Sequence, residues 1–319
     1  MLYSPMPMHI PDGFLSVVVG IIFWIISIVV LAIALRKTGQ SLGERQAPLM
    51  GVLAAAIFAG QMLNFSVTGG TSGHLLGAAL ATIVLGPWPA MLVMTVVVSV
   101  QALVFQDGGL IVLGANLFNM AVVGVAVAYA VYSLVQRVAH GKTWGLWVGG
   151  FAAAWASIFI ASLSCALQLA ISGTSPANLA VPAMGAIHAL IGIGEGLITG
   201  GALAFLYAAR RDLVQAGEAK PGSSRGVVVV GLVIAFALTV LAPLASSHLD
   251  GLEWVAEEQG FLHQAREAFY DLIPDYVMPG IANEAAATIA AGILGTVVVF
   301  GVAYGMARLQ KSAGRSRAA

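Results

Sequence analysis

The sequence predicts an all-α integral membrane protein, and three observations carry this prediction. Of the 319 residues, 59% are hydrophobic and only 9% are charged, whereas a typical soluble domain has about 25% charged residues. The mean hydropathy is +0.94. Apolar runs of about 17 to 25 residues, long enough to cross about 30 Å of hydrocarbon as helices, follow one another along most of the chain. These features exclude a soluble globular domain.

We predict about nine transmembrane helices. The third is short, because the turn sequence GPWP at 86–89 divides the apolar stretch 74–105 into two. The predicted spans cover residues 15–35, 48–65, 74–86, 89–105, 110–135, 146–172, 185–209, 227–245 and 281–307.

The basic residues predict that the amino terminus lies outside the cell membrane. Short cytoplasmic segments collect Lys and Arg, and with this orientation 13 of the 14 basic residues fall inside. Only Arg266 falls outside, in a polar segment at about 246–280. The outer face then carries Asp12, Asp107 and the carboxylates from Asp250 to Glu284, and this negative charge weakly favours cations.

A polar tract rich in Gly, Ser and Pro, QAGEAKPGSSR at 215–225, separates two modules. We predict a seven-span module at 8–212, a cytoplasmic linker at 213–226 and a two-span module at 227–319. The tripeptide GKT at 141–143 is not a phosphate-binding loop, because Gln136 stands where that motif needs glycine. Active uptake through this chain would therefore need an ion gradient or a separate ATPase.

The sequence MHIPDG at 8–13 has the pattern of a metal chelate. If Met8 were the first residue, its amine, the amide nitrogen of His9 and the His9 Nδ1 would close a five- and a six-membered ring around one ion. Such nitrogen donors suit Ni(II) or Cu(II) in square-planar or tetragonal geometry. Pro11 has no amide hydrogen, so the chain turns away, and Asp12-Gly13 makes the turn into the first span.

The fourth nitrogen has a candidate in His74, which follows the Gly- and Ser-rich stretch 69–73 on the same predicted side. Glycines let the backbone approach a ligand closely. For either histidine alone, a hydrogen-bonded polar residue at the membrane interface is the simpler interpretation, and their shared side favours the pair as ligands. His248 and His263, with Glu257 and Glu258 between them, could form a second metal site, but a solvated acidic segment is the favoured interpretation.

Other polar residues within or near the spans have two interpretations, hydrogen bonding between helices or support of the metal site. His188 and Glu195 are two helical turns apart and share one face, so they could orient the His74 loop, line a path or dock a partner. An oxygen that accepts the second ring proton of His74 is expected, and Asn64 is nearest in sequence. The remaining candidates are Ser72, Gln101, Gln106, Asn116, Asn119 and Gln168.

These motifs in this order resemble the substrate-binding membrane component of nickel and cobalt energy-coupling-factor transporters. The resemblance covers about residues 8 to 210 and rests on MHIPDGFLS at 8–16, TSGHLLG at 71–77, QALVFQDGGL at 101–110, LGANLFNM at 113–120 and HALIGIGEGLITG at 188–200. The part after the linker resembles the small accessory component of the same transporters, through SSHLDGLEWVAEEQGF at 246–261 and PDYVMPG at 274–280. Leu249 departs from that motif, which usually has proline there.

The resemblance implies metal ligation by Met8, His9 and His74, with no prosthetic group and no covalent catalysis. It also implies a transmembrane coupling subunit and cytosolic ATPases as partners in the cell membrane. Residues 1–7 depart from the family, since they turn the Met8 amine into an amide, and we expect the working protein to begin at Met8. Ni(II) is the expected ion. Co(II) uptake by the same mechanism and a gradient-driven permease or channel are the alternatives, and an intramembrane metalloenzyme is disfavoured because no HExxH pair is present.

Overall fold

The computed structural model describes residues 9–41, 46–213 and 224–318. These residues are mostly helical with one small antiparallel hairpin, which confirms the predicted all-α membrane class. The hairpin strands are β1 (Phe65–Val67) and β2 (Thr71–Gly73). The helices are α1 (Val17–Ser41), α2 (Gln46–Gln61), α3 (Ala78–Leu85), α4 (Pro87–Phe105), α5 (Leu113–Ala139), α6 (Thr143–Ser172), α7 (Ala177–Ala209), α8 (Ser224–Leu241), α9 (Gly251–Glu258) and α10 (Glu284–Ala318).

Seven of the described helices are long and apolar enough to cross a membrane, namely α1, α4, α5, α6, α7, α8 and α10. The chain is therefore a multi-pass membrane protein. The predicted spans 48–65 and 74–86 correspond to shorter helices, since α2 has 16 residues and α3 has 8. At about 1.5 Å per residue α3 is only about 12 Å long, too short to cross the hydrocarbon core alone. The total number of spans and the side of the amino terminus stay predictions.

Two glycines set the ends of the short helix α3. Gly77 and Gly86 both have φ of 80°, a positive value that glycine adopts without a steric penalty because it has no Cβ. Pro87 then begins α4, where its missing amide hydrogen is not needed. The predicted break at GPWP is thus confirmed, and residues 74–77 in front of α3 form a loop rather than part of a helix.

The helices of the two modules pack into one bundle. Helices α6 and α7 lie along each other, α5 packs on α6, and α10 packs on α2 and α8. Gly231 of α8 and Gly295 of α10 face Val52 and Phe58 of α2 so closely that any Cβ would collide with them. Small residues permit such close helix contacts.

A polar cluster joins α5 to α6 inside the bundle. Asn119 Nδ2 donates to Gln168 Oε1 at 2.9 Å, Gln168 Nε2 donates back to Asn119 Oδ1 at 2.7 Å, and Ser164 Oγ donates to the same oxygen. For Asn119 and Gln168 the interpretation as interhelical hydrogen bonds is therefore confirmed.

Four segments meet at one end of the bundle, which we call the site end. They are the amino-terminal segment 9–16, the hairpin with its following loop (65–77), the loop 106–112 between α4 and α5, and the segment 245–283 of the second module. Isolated bridges pair Asp12 with Arg266 and Ser72 with Asp250, so the second module contacts both the amino-terminal segment and the hairpin.

Candidate metal-binding site

The PDG turn anchors the amino-terminal segment to the loop before α5. Gly13 has φ of 97°, and Phe14 N donates to Pro11 O at 3.4 Å, which confirms the expected turn. The Asp12 carboxylate accepts hydrogen bonds from the amides of the three consecutive residues that directly precede α5. These are Leu110 (3.0 Å), Ile111 (2.9 Å) and Val112 (3.1 Å). A carboxylate at the positive end of a helix is favourable, so Asp12 fixes the segment in place.

Asn116 holds the main chain directly after His9. Its Oδ1 accepts from Ile10 N and its Nδ2 donates to Ile10 O, both at 3.0 Å. Gly109 N also donates to Ile10 O at 2.9 Å. Because both polar groups of the Ile10 backbone are paired, His9 has a defined position at the site end.

Two nitrogens of His9 face one oxygen atom. The backbone N of His9 donates to Asp107 Oδ1 at 3.1 Å. His9 Nδ1 lies 3.0 Å from that same oxygen and 3.2 Å from the backbone carbonyl oxygen of Asp107, with which it forms a hydrogen bond. His9 is only 5% exposed. The amide nitrogen and Nδ1 are the pair that a six-membered chelate ring requires, and the structure shows them converging on a single point.

Tyr276 of the second module holds the other oxygen of Asp107. Its hydroxyl donates to Asp107 Oδ2 at 2.6 Å, and its fully buried ring stacks on Phe105 with 4.7 Å between centroids. Tyr276 has φ of 58°, an uncommon conformation for a residue with a side chain. The Asp107 carboxylate therefore lies between His9 and the second module.

The structure brings the two predicted imidazoles together. The ring centroids of His9 and His74 are 5.9 Å apart with an interplanar angle of 79°. Both rings line a cavity of about 80 Å³. His188, Cys165 and Asp250 also line it, as do apolar side chains of α5, α6 and α7.

Glu195 fixes the loop that follows His74. Its carboxylate, buried in α7, accepts the backbone amides of Leu76 at 2.7 Å and Gly77 at 3.0 Å. Gln61 Nε2 donates to Leu76 O at 2.9 Å from the other side. Among the interpretations offered for Glu195, orientation of the His74 loop is the one that these contacts support. His188 lies two turns earlier on α7, and its Nδ1 donates to Met184 O at 2.9 Å.

The partner of His74 is a carboxylate of the second module, not Asn64. His74 Nδ1 lies 3.3 Å from Asp250 Oδ1. Burial alone would raise the pKa of Asp250. The positive charge of His74 and its hydrogen bond outweigh this effect, so the pKa of Asp250 lies below its ordinary value. Within the described residues the Asn64 side chain has no hydrogen-bond partner. The expected support by Asn64 is therefore wrong, because the tertiary fold brings a distant carboxylate closer.

The other predicted residues differ in their hydrogen bonding and exposure. Ser72 N and Oγ bond to carbonyl oxygens of the second module, whereas the Gln106 side chain has no hydrogen-bond partner among the described residues. His248 and His263 are exposed, as expected for a solvated segment. Met8 lies outside the described residues, as do residues 1–7 and positions 214–223 of the predicted linker.

No three side chains of His, Cys, Asp or Glu stand together closely enough to hold a metal ion in the part of the chain that the structure describes. A site built on His9 and His74 therefore needs main-chain nitrogens. The convergence of the His9 amide and Nδ1 has the geometry for that contribution.

Comparison with known families decides what kind of protein carries this site. The model of a family described as "Cobalt uptake substrate-specific transmembrane region", or CbiM, matches residues 9–213, more than half of the chain. The chain belongs to the CbiM family. A PDGLE domain matches residues 225–312, so a PDGLE domain follows the CbiM region in the same chain.

Relatives include proteins with the same two-part organisation. The chain is 38% identical over 308 residues to the "Putative fused nickel transport protein NikMN" of Archaeoglobus fulgidus, covering 96% of this chain and 100% of the relative. It is 44% identical over 209 residues to a "Putative metal transport protein" of Haloquadratum walsbyi, covering 65% and 93%. A crystal structure titled as a truncated transition metal transporter superposes with a TM-score of 0.56 at 33% identity, covering 63% of this chain and 99% of that one.

Two contributors to the site were not identified from the sequence as parts of it, since Asp107 and Asp250 counted only as negative charge on the outer face. Asn116 was one of several candidates for support of His74, and it holds the main chain after His9 instead. A sequence signal existed for Asp107, since QDGG places a carboxylate next to two glycines that allow close approach. At Gly108, with φ of 99°, a Cβ would lie 2.9 Å from both the His9 Cβ and the Asn116 Nδ2.

Proposed function

We propose that this protein captures Ni(II) through four nitrogens and delivers it to an ATP-driven uptake system. The donors are the Met8 amine, the His9 amide nitrogen and Nδ1, and an imidazole nitrogen of His74. Such a donor set suits Ni(II) in square-planar or tetragonal geometry. Support comes from the CbiM membership and from the nickel transport protein that matches along almost the whole chain.

The observation that carries the proposal is the convergence of His9 N and His9 Nδ1 on one point beside His74. In the structure that point holds Asp107 Oδ1, a negatively charged atom that attracts a cation. A nickel ion chelated by His9 takes the place of this oxygen, and the His9 amide releases its proton to solvent, because a ligand nitrogen must be deprotonated to bind the ion. Asp12 and Asn116 hold the segment that carries His9, and Glu195 holds the loop that carries His74, so the nitrogens of these two histidines are positioned before the ion arrives.

Co(II) is the second candidate ion, and the description of the CbiM family as a cobalt uptake region favours it. Nitrogen donors of this kind also bind cobalt, although the affinity order of divalent ions places nickel above it. The nickel that the protein retains when Co(II) competes for the site distinguishes the two candidate ions. Nickel retained against an equal concentration of cobalt supports nickel as the substrate.

The ATP-driven mechanism predicts that the chain alone does not accumulate nickel. Cells without nickel uptake of their own should take up radioactive nickel only when the chain, a membrane coupling subunit and cytosolic ATPases are expressed together. Uptake should disappear when the phosphate-binding lysine of the ATPases is replaced. A gradient-driven permease would instead accumulate nickel with the chain alone and lose this uptake when a protonophore is added, and that result would contradict the proposal.

A further inference from the structure

A segment of the PDGLE domain extends the hairpin next to His74. Ser72 N donates to Leu249 O at 2.8 Å, and Ser72 Oγ donates to His248 O at 2.9 Å. Ser72 and Asp250 form a parallel bridge. These contacts of Ser72 with the main chain of the segment set its register, so Asp250 lies beside His74, the residue two positions after Ser72.

Asp250 has the position of a helix cap but makes no capping bond. It is the residue directly before α9, where Asp commonly accepts an amide proton of the first turn, yet no side-chain capping bond is present. Instead its Oδ1 lies 3.3 Å from His74 Nδ1, and the residue is 3% exposed. A buried carboxylate that makes no capping bond and lies beside an imidazole 176 positions away in the sequence points to a role at that imidazole.

The two residues after Asp250 complete one wall of the cavity. A Cβ at Gly251 would lie 2.8 Å from Ile191 Cδ1 and 3.0 Å from His188 Cε1, so glycine lets the segment approach α7. Leu252 is buried and lines the cavity with His9 and His74. Each residue of Asp250-Gly251-Leu252 therefore contacts the site: Asp250 contacts His74, Gly251 packs against α7, and Leu252 lines the cavity.

We propose that Asp250, supplied by the PDGLE domain, is a positioning residue of the metal site. It accepts the Nδ1 proton of His74, which fixes the ring orientation and leaves the Nε2 lone pair for the ion. Ligating imidazoles commonly donate their second ring proton to a carboxylate in this way. The inference rests on the proposed function, and it makes the PDGLE domain a structural part of the binding site.

The test uses the full chain beginning at Met8, with Ni(II) alone as the probe. Asp250→Ala should weaken nickel binding about 10- to 100-fold, the usual effect of removing such a partner. Asp250→Asn should lie between the parent and the Ala variant, because its amide oxygen still accepts the proton. Asp271→Asn is the matched control, since Asp271 is exposed in the same domain, and it should bind like the parent.

The same substitution in a His74→Ala background separates positioning from general stability. If Asp250 acts through His74, Asp250→Ala adds no further loss of affinity there. A full additional loss in that background, or parent-like affinity of the Ala and Asn variants, would overturn the inference. If Asp250→Ala does not fold, Asp250→Asn is compared in the two backgrounds instead.

The single variants separate this inference from the proposed function. If His74→Ala keeps the nickel affinity of the parent, the proposed function fails. If His74→Ala loses nickel while both Asp250 variants keep it, only this inference fails.

Discussion

Residues 1–7 in front of Met8 should weaken Ni(II) binding at least about a hundredfold. With the extension attached, the Met8 nitrogen is an amide in a peptide bond, and the five-membered ring loses its amine donor. Removing a group that only supports a ligand typically costs 10- to 100-fold in affinity, so loss of a donor itself costs at least as much. The His9 and His74 nitrogens remain, and residual weak binding is expected from them.

The measurement compares nickel affinities of two chains, one beginning at Met1 and one at Met8, by competition with a coloured chelator. A third chain begins at Met8 and carries an acetyl group on its amine. It has both histidines at their native spacing but lacks the amine donor, so it should bind as weakly as the extended chain. Equal affinities for all three chains would show that the amine is not a donor.

Glu195→Ala should be the most destabilising substitution at the site end. The buried carboxylate accepts two backbone amides, those of Leu76 and Gly77. Each amide left buried without a partner costs about 1–3 kcal/mol, so we expect a loss of about 2–6 kcal/mol in the free energy of unfolding. Nickel affinity should fall as well, because the loop that carries His74 is no longer fixed.

Thermal unfolding in detergent, followed with and without nickel, measures both effects of the Glu195 substitution. Glu195→Gln should show a smaller loss, since its single amide oxygen still accepts one of the two protons. Glu258→Ala is the control, because Glu258 is exposed on α9, and it should unfold like the parent. A Glu195→Ala variant as stable as Glu258→Ala would contradict the assigned role.

Local sequence was sufficient to predict some parts of the site. The PDG turn, the break at GPWP and the closeness of His9 and His74 follow from glycine and proline chemistry and from the ends of apolar runs. GPWP also predicts the carboxyl end of the short helix α3, but hydropathy does not predict its beginning. The apolar stretch extends back to His74, whereas Gly77 with φ of 80° delays the start of the helix to Ala78.

The partners of the two histidines could not be predicted, because they depend on tertiary structure. Asn64 was the nearest oxygen to His74 in sequence, but Asp250 is the nearest in space through the bridge to Ser72. Likewise, Asp107 contacts His9 only because hydrogen bonds of Asp12 and Asn116 hold the amino-terminal segment against the loop before α5. Buried contacts between a histidine and a carboxylate, such as these, join segments about a hundred or more positions apart, so neither periodicity nor motif spacing predicts them.

The nickel content of purified protein tests the central claim most directly. Chains beginning at Met8 are loaded with Ni(II), desalted and assayed by mass spectrometry as the parent, His9→Ala, His74→Ala and His263→Ala, the last being an exposed histidine of the PDGLE domain. We predict stoichiometric nickel in the parent and His263→Ala, and little or none in the other two. Equal nickel retention in all four proteins would contradict a site built on His9 and His74.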